Sequence, residues 1–337
     1  MPIADHVPEG FELRAVTVDD APAIAELINE VTLAEIGVPW TTAEEVRDEL
    51  TSPARDAAPP EALLVDEEGT PIGYLQLSTE HGSRPPVLAL VFVRSHLWGR
   101  GLSAWLLRLA EERVRAWAQL TSPGGRVALR AARFTGNEAA GRLFTASGFR
   151  YVRTFWMMEI ELGAAPPPPE LSTRIRIRTF EPQRDDVAVH SALAEAFADH
   201  WGEVFPPLDE WRHLSVEGEG AGFDPSLWFV AEDGDQIAGA ACCRATSPRS
   251  EGTAQVSELG VRRPWRRRGV GLALLQRAFQ EFHRRGIHRA ELGVDAENPT
   301  GATRLYERAG MHVALSWEIW EKEIAGSSEV DTVGPIL

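Results

Sequence analysis

The sequence predicts an α/β fold, an α+β mixed sheet flanked by helices, present as two tandem copies. Three observations predict it. Strand-like and helix-like segments alternate along the chain. The same order of segments recurs at an offset of about 162 to 168 residues, and four consecutive prolines in "GAAPPPPE", Gly163 to Glu170, form a stiff spacer between the copies. A length of 337 residues with 44% hydrophobic side chains supplies two cores. The expected division is therefore 11–162, a Pro-rich linker at 163–173, and 174–325.

Each copy opens with a short strand and an acidic turn into a helix, "LRAVTVDDAPAIAELINEV" from Leu13 and "IRIRTFEPQRDDVAVHSALAEAF" from Ile175. A strand, a tight turn and a second strand follow, "ALLVDEEGTPIGYLQL" from Ala62 and "WFVAEDGDQIAGAACCR" from Trp228, whose "EEGT" and "EDGD" are hairpin signals. Next come "ALVFVRSHLWGRGLSAWLL" from Ala89 and "SELGVRRPWRRRGVGLALL" from Ser257, with Val93 matching Val261. Each reads as a strand, a basic glycine-containing loop and a helix. In the second helix Leu272, Leu275, Phe279 and Phe282 form one apolar stripe, and Gly286 supplies a C-terminal cap. A strand and a capped helix follow, "VALRAARFTGNEAAGRLFTASGF" from Val127 and "AELGVDAENPTGATRLYERAGM" from Ala290. A final apolar strand, "VRTFWMMEIEL" or "HVALSWEIWEKEI", is expected to close its own copy.

Composition removes several function classes. A net charge of -16 argues against a general nucleic-acid binder, which needs a basic surface to displace counterions. Lys322 is the only lysine, so no phosphate loop with a lysine after its glycines exists. Cys242 and Cys243 are adjacent, a geometry that strains a bridge between them, and a reduced cytoplasmic setting is expected. The apolar run Val87 to Val93 is too short to cross a bilayer, and "MPIADHVPEG" lacks the charged and apolar regions of a signal peptide. His200 and His213 have no Cys or His neighbours at metal-ligand spacing, so no metal is expected.

The loop "VRRPWRRRGVGLALL" carries the chemistry. A strand feeding a glycine-rich turn into a helix N-terminus exposes backbone N–H groups at the positive end of the helix dipole, which is an anion site. Gly269 and Gly271 let backbone approach a ligand, and Arg266 to Arg268 can add side-chain charge. The dinucleotide fingerprint fails because Leu274 stands where its third glycine belongs. By itself, a run of arginines reads as a solvated face before it reads as a ligand site.

This loop resembles the acetyl-CoA motif of the GNAT superfamily of N-acetyltransferases, Arg/Gln-x-x-Gly-x-Gly/Ala, with Arg266, Gly269 and Gly271 in the defining places. "ENPTGATRLYERAGM" resembles the family's next motif, with Asn298 and Tyr306 at the matching positions and one extra residue between them. The resemblance extends over both halves and implies two tandem GNAT folds that move an acetyl group directly from acetyl-CoA to a primary amine. It implies that backbone N–H groups of Arg266, Arg267, Arg268, Gly269, Val270, Gly271 and Leu272 hold the pyrophosphate, and that Leu259 to Val261 pair with the pantetheine arm. Tyr306 is implied as the acid for the departing thiolate, against a bland reading as a core ring. Glu258 is the base candidate, against an orienting role or a simple ion pair with a nearby arginine. Strand alternation puts it opposite Gln255 and Ser257, and Gln255 falls where the family often has a carboxylate. Asn298 followed by Pro299 reads as a helix N-cap, with a contact to CoA as a compatible second role.

The first copy lacks these groups. Trp98 and Ser103 stand in the places of Arg266 and Gly271, Phe144 stands for Tyr306, and "PVLALVFV" has no carboxylate, amide or histidine. Catalysis is therefore expected in the second copy alone. The acceptor cleft is expected in "FADHWGEVFPPLDEWRHL", where Asp199, His200, Trp201, Glu203 and Trp211 suit a cationic small molecule or, equally, core packing and solvated acids. A protein or peptide N-acetyltransferase and a non-catalytic CoA-binding regulator are the alternatives. No nucleic-acid or membrane partner is expected, and two paired halves favour a monomer.

Overall fold

The computed structural model describes residues 6–325 apart from 53–54, 56–57, 82–83, 122–124, 165, 167–170, 172–173, 202–204, 213–214, 217–222, 248–251 and 299. Most of the proline spacer thus lies outside the described residues, as do Glu203, His213 and Pro299. Helices and strands alternate in the expected order. They are β1 (Phe11–Ala15), α1 (Ala21–Ile36), α2 (Ala43–Thr51), β2 (Ala62–Asp66), β3 (Pro71–His81), β4 (Arg84–Val93), α3 (Leu102–Thr121), β5 (Val127–Phe134), α4 (Glu138–Ala146) and β6 (Arg150–Glu161). The repeat continues with β7 (Ile175–Thr179), α5 (Asp186–Phe197), α6 (Leu208–Arg212), β8 (Phe229–Asp233), β9 (Gln236–Arg244), β10 (Thr253–Val261), α7 (Val270–Arg284), β11 (Arg289–Asp295), α8 (Ala302–Arg308) and β12 (His312–Ala325).

The chain forms two compact units, residues 1–152 with 318–337, and residues 153–317. This division differs from the one drawn on the repeat, because each unit is completed by the closing strand of the other half. In the second unit β6 lies antiparallel to β11, from Phe155 opposite Asp295 to Glu161 opposite Arg289, and Met158 joins the core. In the first unit Trp320 and Ile324 of β12 pack on the core, and Glu318 and Glu321 pair with Arg133 and Arg130 of β5. Both closing strands have an apolar face, and either unit offers it an open edge, so sequence pattern alone does not choose between them.

Within each unit the strand before the basic loop pairs antiparallel with its predecessor and parallel with its successor. Parallel pairing is short. It covers Val87–Ala89 with Leu129–Ala131 in the first unit and Thr253–Gln255 with Arg289–Glu291 in the second. Beyond those residues the strands part, leaving an open backbone edge that runs into the loop.

The hydrophobic stripe of α7 buries Leu274, Leu275, Phe279 and Phe282, while Leu272 is half-buried at its start. Gly286, at φ +76°, closes its last turn. Ion pairs repeat as the elements do. Arg14 holds Asp20 at 2.6 Å and Arg178 holds Asp185 at 2.5 Å, each tying the opening strand to the start of its helix. No described helix is long and apolar enough to cross a membrane.

Candidate functional site

The site is built on β10. Its register with β9 is Gln255 opposite Arg244, Val256 opposite Cys243, then Glu258 opposite Cys242, so Ser257 is an inserted bulge residue. Residues paired across antiparallel strands share a face, and Arg244 and Cys242, two apart, share one as well. Glu258 therefore lies on the same face as Gln255. Simple alternation put it on the opposite face, and the bulge corrects that. Past the bulge Gly260 faces α5, where a Cβ would come within 2.8 Å of Leu193 and 3.0 Å of Ala196. Leu259 and Val261 take the α7 face, and among the described residues their strand has no partner on the β11 side.

The loop after Val261 is an internally neutralised clamp. Arg262 pairs with Glu195 at 2.6 Å, and Arg263 and Arg266 pair with Asp199 at 2.5 and 2.8 Å. These cations hold the carboxyls of Glu195 and Asp199 below the usual range. Arg266 also donates to the Val261 carbonyl at 3.1 Å and the Ala196 carbonyl at 3.0 Å. It fastens the loop to β10 and α5, a use of its side chain that the sequence did not indicate. Arg267 and Arg268 are exposed. Arg268 reaches only to within 4.0 Å of Asp233, and Arg267 makes no ion pair among the described residues. Arg267 sits at φ +60°, a left-handed conformation that costs a non-glycine residue about 1 kcal/mol. Gly269 follows at φ +83°.

These two left-handed residues turn the chain into α7. Its first intrahelical bond runs from Ala273 N–H to Gly269, and no side chain caps it, so the N–H groups of Val270, Gly271 and Leu272 have no helical acceptor. Gly271 serves packing: a Cβ there would lie 2.8 Å from Leu305 Cδ1. Its absence seats α8 against the start of α7.

Tyr306 is the residue after Leu305. Its ring is buried at 7% exposure, and burial pushes its pKa up to about 12, so the phenol keeps its proton at neutral pH. Asn298 is not the N-cap. Its Oδ1 accepts from Thr300 N–H at 2.8 Å in an Asx turn, and left-handed Gly301 precedes α8. The extra residue of this motif supplies that turn. The equivalent Asn137, without it, caps α4 by accepting from Ala140 N–H. Asn298 Nδ2 lies 3.4 Å from His200 Nε2.

The expected acceptor segment divides in use. Asp199 belongs to the arginine clamp, Trp201 lies under the Arg153 guanidinium at 5.3 Å, and Trp211 is only 1% exposed, its indole Nε1 lying 3.3 Å from each Glu258 oxygen. Sequence reading missed the surroundings of Glu258. A cavity of about 10 Å³, room for about one water molecule, is lined by Ser215, Trp228, Cys242, Arg244, Ser257 and Glu258. The fully buried Cys242 thiol hydrogen-bonds to Glu258, and burial raises its pKa well above that of an ordinary thiol. The cross-strand register alone could have signalled Cys242, had the bulge been visible. A wider groove of about 410 Å³ lies in the first unit, along α4 and Trp320, and contains none of the motif residues. Among the described residues no group of three or more His, Cys, Asp or Glu could hold a metal ion.

A parted parallel strand pair, a bulge at the parting, a left-handed loop and an uncapped helix start form one continuous backbone surface. Two family models match along the chain, an acetyltransferase (GNAT) domain over residues 11–150 and the acetyltransferase (GNAT) family over residues 188–311. The mycothiol acetyltransferase of Thermobispora bispora is 32% identical over 235 residues, 68% of this chain and 73% of that protein. The chain belongs to the GNAT family of acetyltransferases.

The mycothiol acetyltransferase of Streptomyces coelicolor is 29% identical over 310 residues, covering 90% of this chain and 92% of that protein. A GCN5-related N-acetyltransferase structure from Sphaerobacter thermophilus superposes with a TM-score of 0.81 at 33% identity, over 97% of this chain and all of that one. A tandem GNAT protein from the clavulanic acid biosynthesis pathway shares the fold, with a TM-score of 0.69 at 16% identity over 94% of this chain and 100% of that one. This GNAT chain is an acetyl-CoA-dependent N-acetyltransferase of tandem architecture.

Proposed function

We propose that the second unit is the working one and that it transfers the acetyl group of acetyl-CoA to a primary amine of a small molecule. The bulge at Ser257 carries this reading. It turns Glu258 onto the face that Gln255 occupies, immediately before the open edge of Leu259 to Val261. Along that edge the pantetheine arm would pair with backbone, and the N–H groups at the start of α7 would take the pyrophosphate. Arg267 and Arg268 add charge there, and Asn298 lies at the far side of the parting.

Glu258 accepts the proton that the acceptor ammonium must lose. The free amine attacks the thioester carbonyl, the C–N bond forms, and the C–S bond breaks. A backbone N–H on β10 stabilises the oxygen on which charge develops. Tyr306, protonated at neutral pH, gives its proton to the departing thiolate, and bringing the two substrates together supplies much of the rate. The first unit is proposed as a structural partner without turnover, and the chain as a monomer.

A second reading is favoured by the relatives. Proteins named mycothiol acetyltransferase align over most of this chain, so a mycothiol-related amine is the first specific acceptor to test. The deciding assay measures free thiol released from acetyl-CoA with that amine, amino sugars, aminoglycosides, amino acids and peptides. Release with small amines supports the proposal. Release with peptides alone, or tight acetyl-CoA binding with no release, contradicts it.

A further inference from the structure

In the acceptor segment, Trp211 has its side-chain polar atom aimed at the catalytic candidate. Its indole N–H lies 3.3 Å from Oε1 and 3.3 Å from Oε2 of Glu258. Equal distances make this a bifurcated contact with the donor between the two oxygens, so that swinging the carboxylate sideways lengthens at least one of the two contacts.

The indole itself is held from all sides. Its ring packs against those of His190 and Trp228, each at 5.6 Å between centroids, and the backbone N–H of Trp211 donates to the Pro207 carbonyl at 2.8 Å. His190 is fixed in turn by a 2.8 Å contact to the Pro206 carbonyl, and the neighbouring Arg212 pairs with buried Asp186 at 3.1 Å. Short as α6 is, Trp211 therefore cannot turn without dismantling the junction of α6 with α5.

We propose that Trp211 is a positioning residue that fixes the orientation of the Glu258 carboxylate, through its indole N–H, for proton transfer from the acceptor amine. This rests on the reading of Glu258 as the base. The donor approaches between the oxygens and leaves their outer lone pairs to the Cys242 thiol and to the small cavity beside Ser257. A hydrogen bond to the ionised form also favours it over the neutral acid. The titratable and charged groups facing Glu258 among the described residues are Cys242 and Arg244 of β9, with Ser215 of the segment after α6, Trp228 and Ser257 completing the wall. In the first unit the residue opposite the equivalent of Cys242 is Leu90, opposite Gln76, and β4 has no bulge there. Carboxylate and bulge are missing together.

The test uses the full chain labelled with carboxyl-¹³C glutamate, with the Glu258 resonance assigned by its loss in Glu258→Gln. Two variants remove the donor: Trp211→Phe, and a tryptophan analogue at 211 with sulfur in place of the indole N–H, which keeps the ring's shape. The titration midpoint of Glu258 is expected to rise by about 0.5 to 1 pH unit in both, and the acid limb of turnover to move with it. An unchanged midpoint in both variants overturns the proposal, even where thermal stability falls. A shifted midpoint with turnover of Glu258→Gln intact removes the base assignment, and the proposal with it, while leaving the hydrogen bond established.

Discussion

The two basic loops share one backbone and differ in what that backbone serves. Gly99 and Gly101 lie at φ +80°, matching Arg267 at +60° and Gly269 at +83°. Trp98 Nε1 donates to the Val93 carbonyl at 2.7 Å, the bond that Arg266 makes to the Val261 carbonyl at 3.1 Å. Glu30 pairs with Arg94 at 2.5 Å where Glu195 pairs with Arg262. The first loop thus keeps its turn and its anchors. Its losses are the bulge, the carboxylate and the tyrosine, since β3 and β4 stay in register from Gly73 opposite Val93 to Thr79 opposite Val87, and Phe144 fills the core where Tyr306 stands. Loop shape is therefore a property of the fold, and the two units differ in three local features, the bulge, the carboxylate and the tyrosine, on which the proposed chemistry rests.

The largest expected effect that sharpens this contrast is Glu258→Gln, which should lower turnover by about 10² to 10⁴-fold. Leu90→Ala, at the paired position of the first unit, should leave kcat unchanged, both read by thiol release from acetyl-CoA. Next, Gly271→Ala places a Cβ against Leu305 and should cost about 1 to 2 kcal/mol in thermal or denaturant unfolding. Its twin Ser103→Ala should cost less than about 0.5 kcal/mol.

Arg266→Trp copies the first loop into the second. It keeps a donor for Val261 and loses the bonds to Asp199 and Ala196, so acetyl-CoA should bind about three- to tenfold more weakly by calorimetry. The smallest expected effect is on the alkaline side of the pH profile. Tyr306 has its pKa raised to about 12, so the acid is present throughout neutral pH and is lost only as pH rises toward that value. kcat measured from pH 7 to 10 should show no fall that Tyr306→Phe abolishes.

The repeat, the order of elements and the loop were legible because each is written in local pattern: period, turn residues and glycine. The packing roles of Arg266 and Gly271 were not legible because nothing local says that Asp199, Ala196 and Leu305 arrive beside them. A bulge adds one residue without changing composition, so the face of Glu258 followed from simple alternation and was wrong until register was known. The exchange of β6 and β12 was hidden for a related reason, since an amphipathic strand does not name its partner edge. Asn298 shows the opposite case. The extra residue before Tyr306 was visible in the sequence, and its physical meaning, an Asx turn followed by left-handed Gly301, needed the backbone.

The central claim is that one unit works and its twin does not. The most direct measurement is the turnover of Tyr306→Phe beside that of Phe144→Tyr, by thiol release from acetyl-CoA with the best amine of the panel. The account predicts a loss of about 10²-fold or more in the first, with acetyl-CoA binding retained, and native turnover in the second. Native turnover in Tyr306→Phe, together with loss on changing the Trp98 to Ser103 loop, would contradict it.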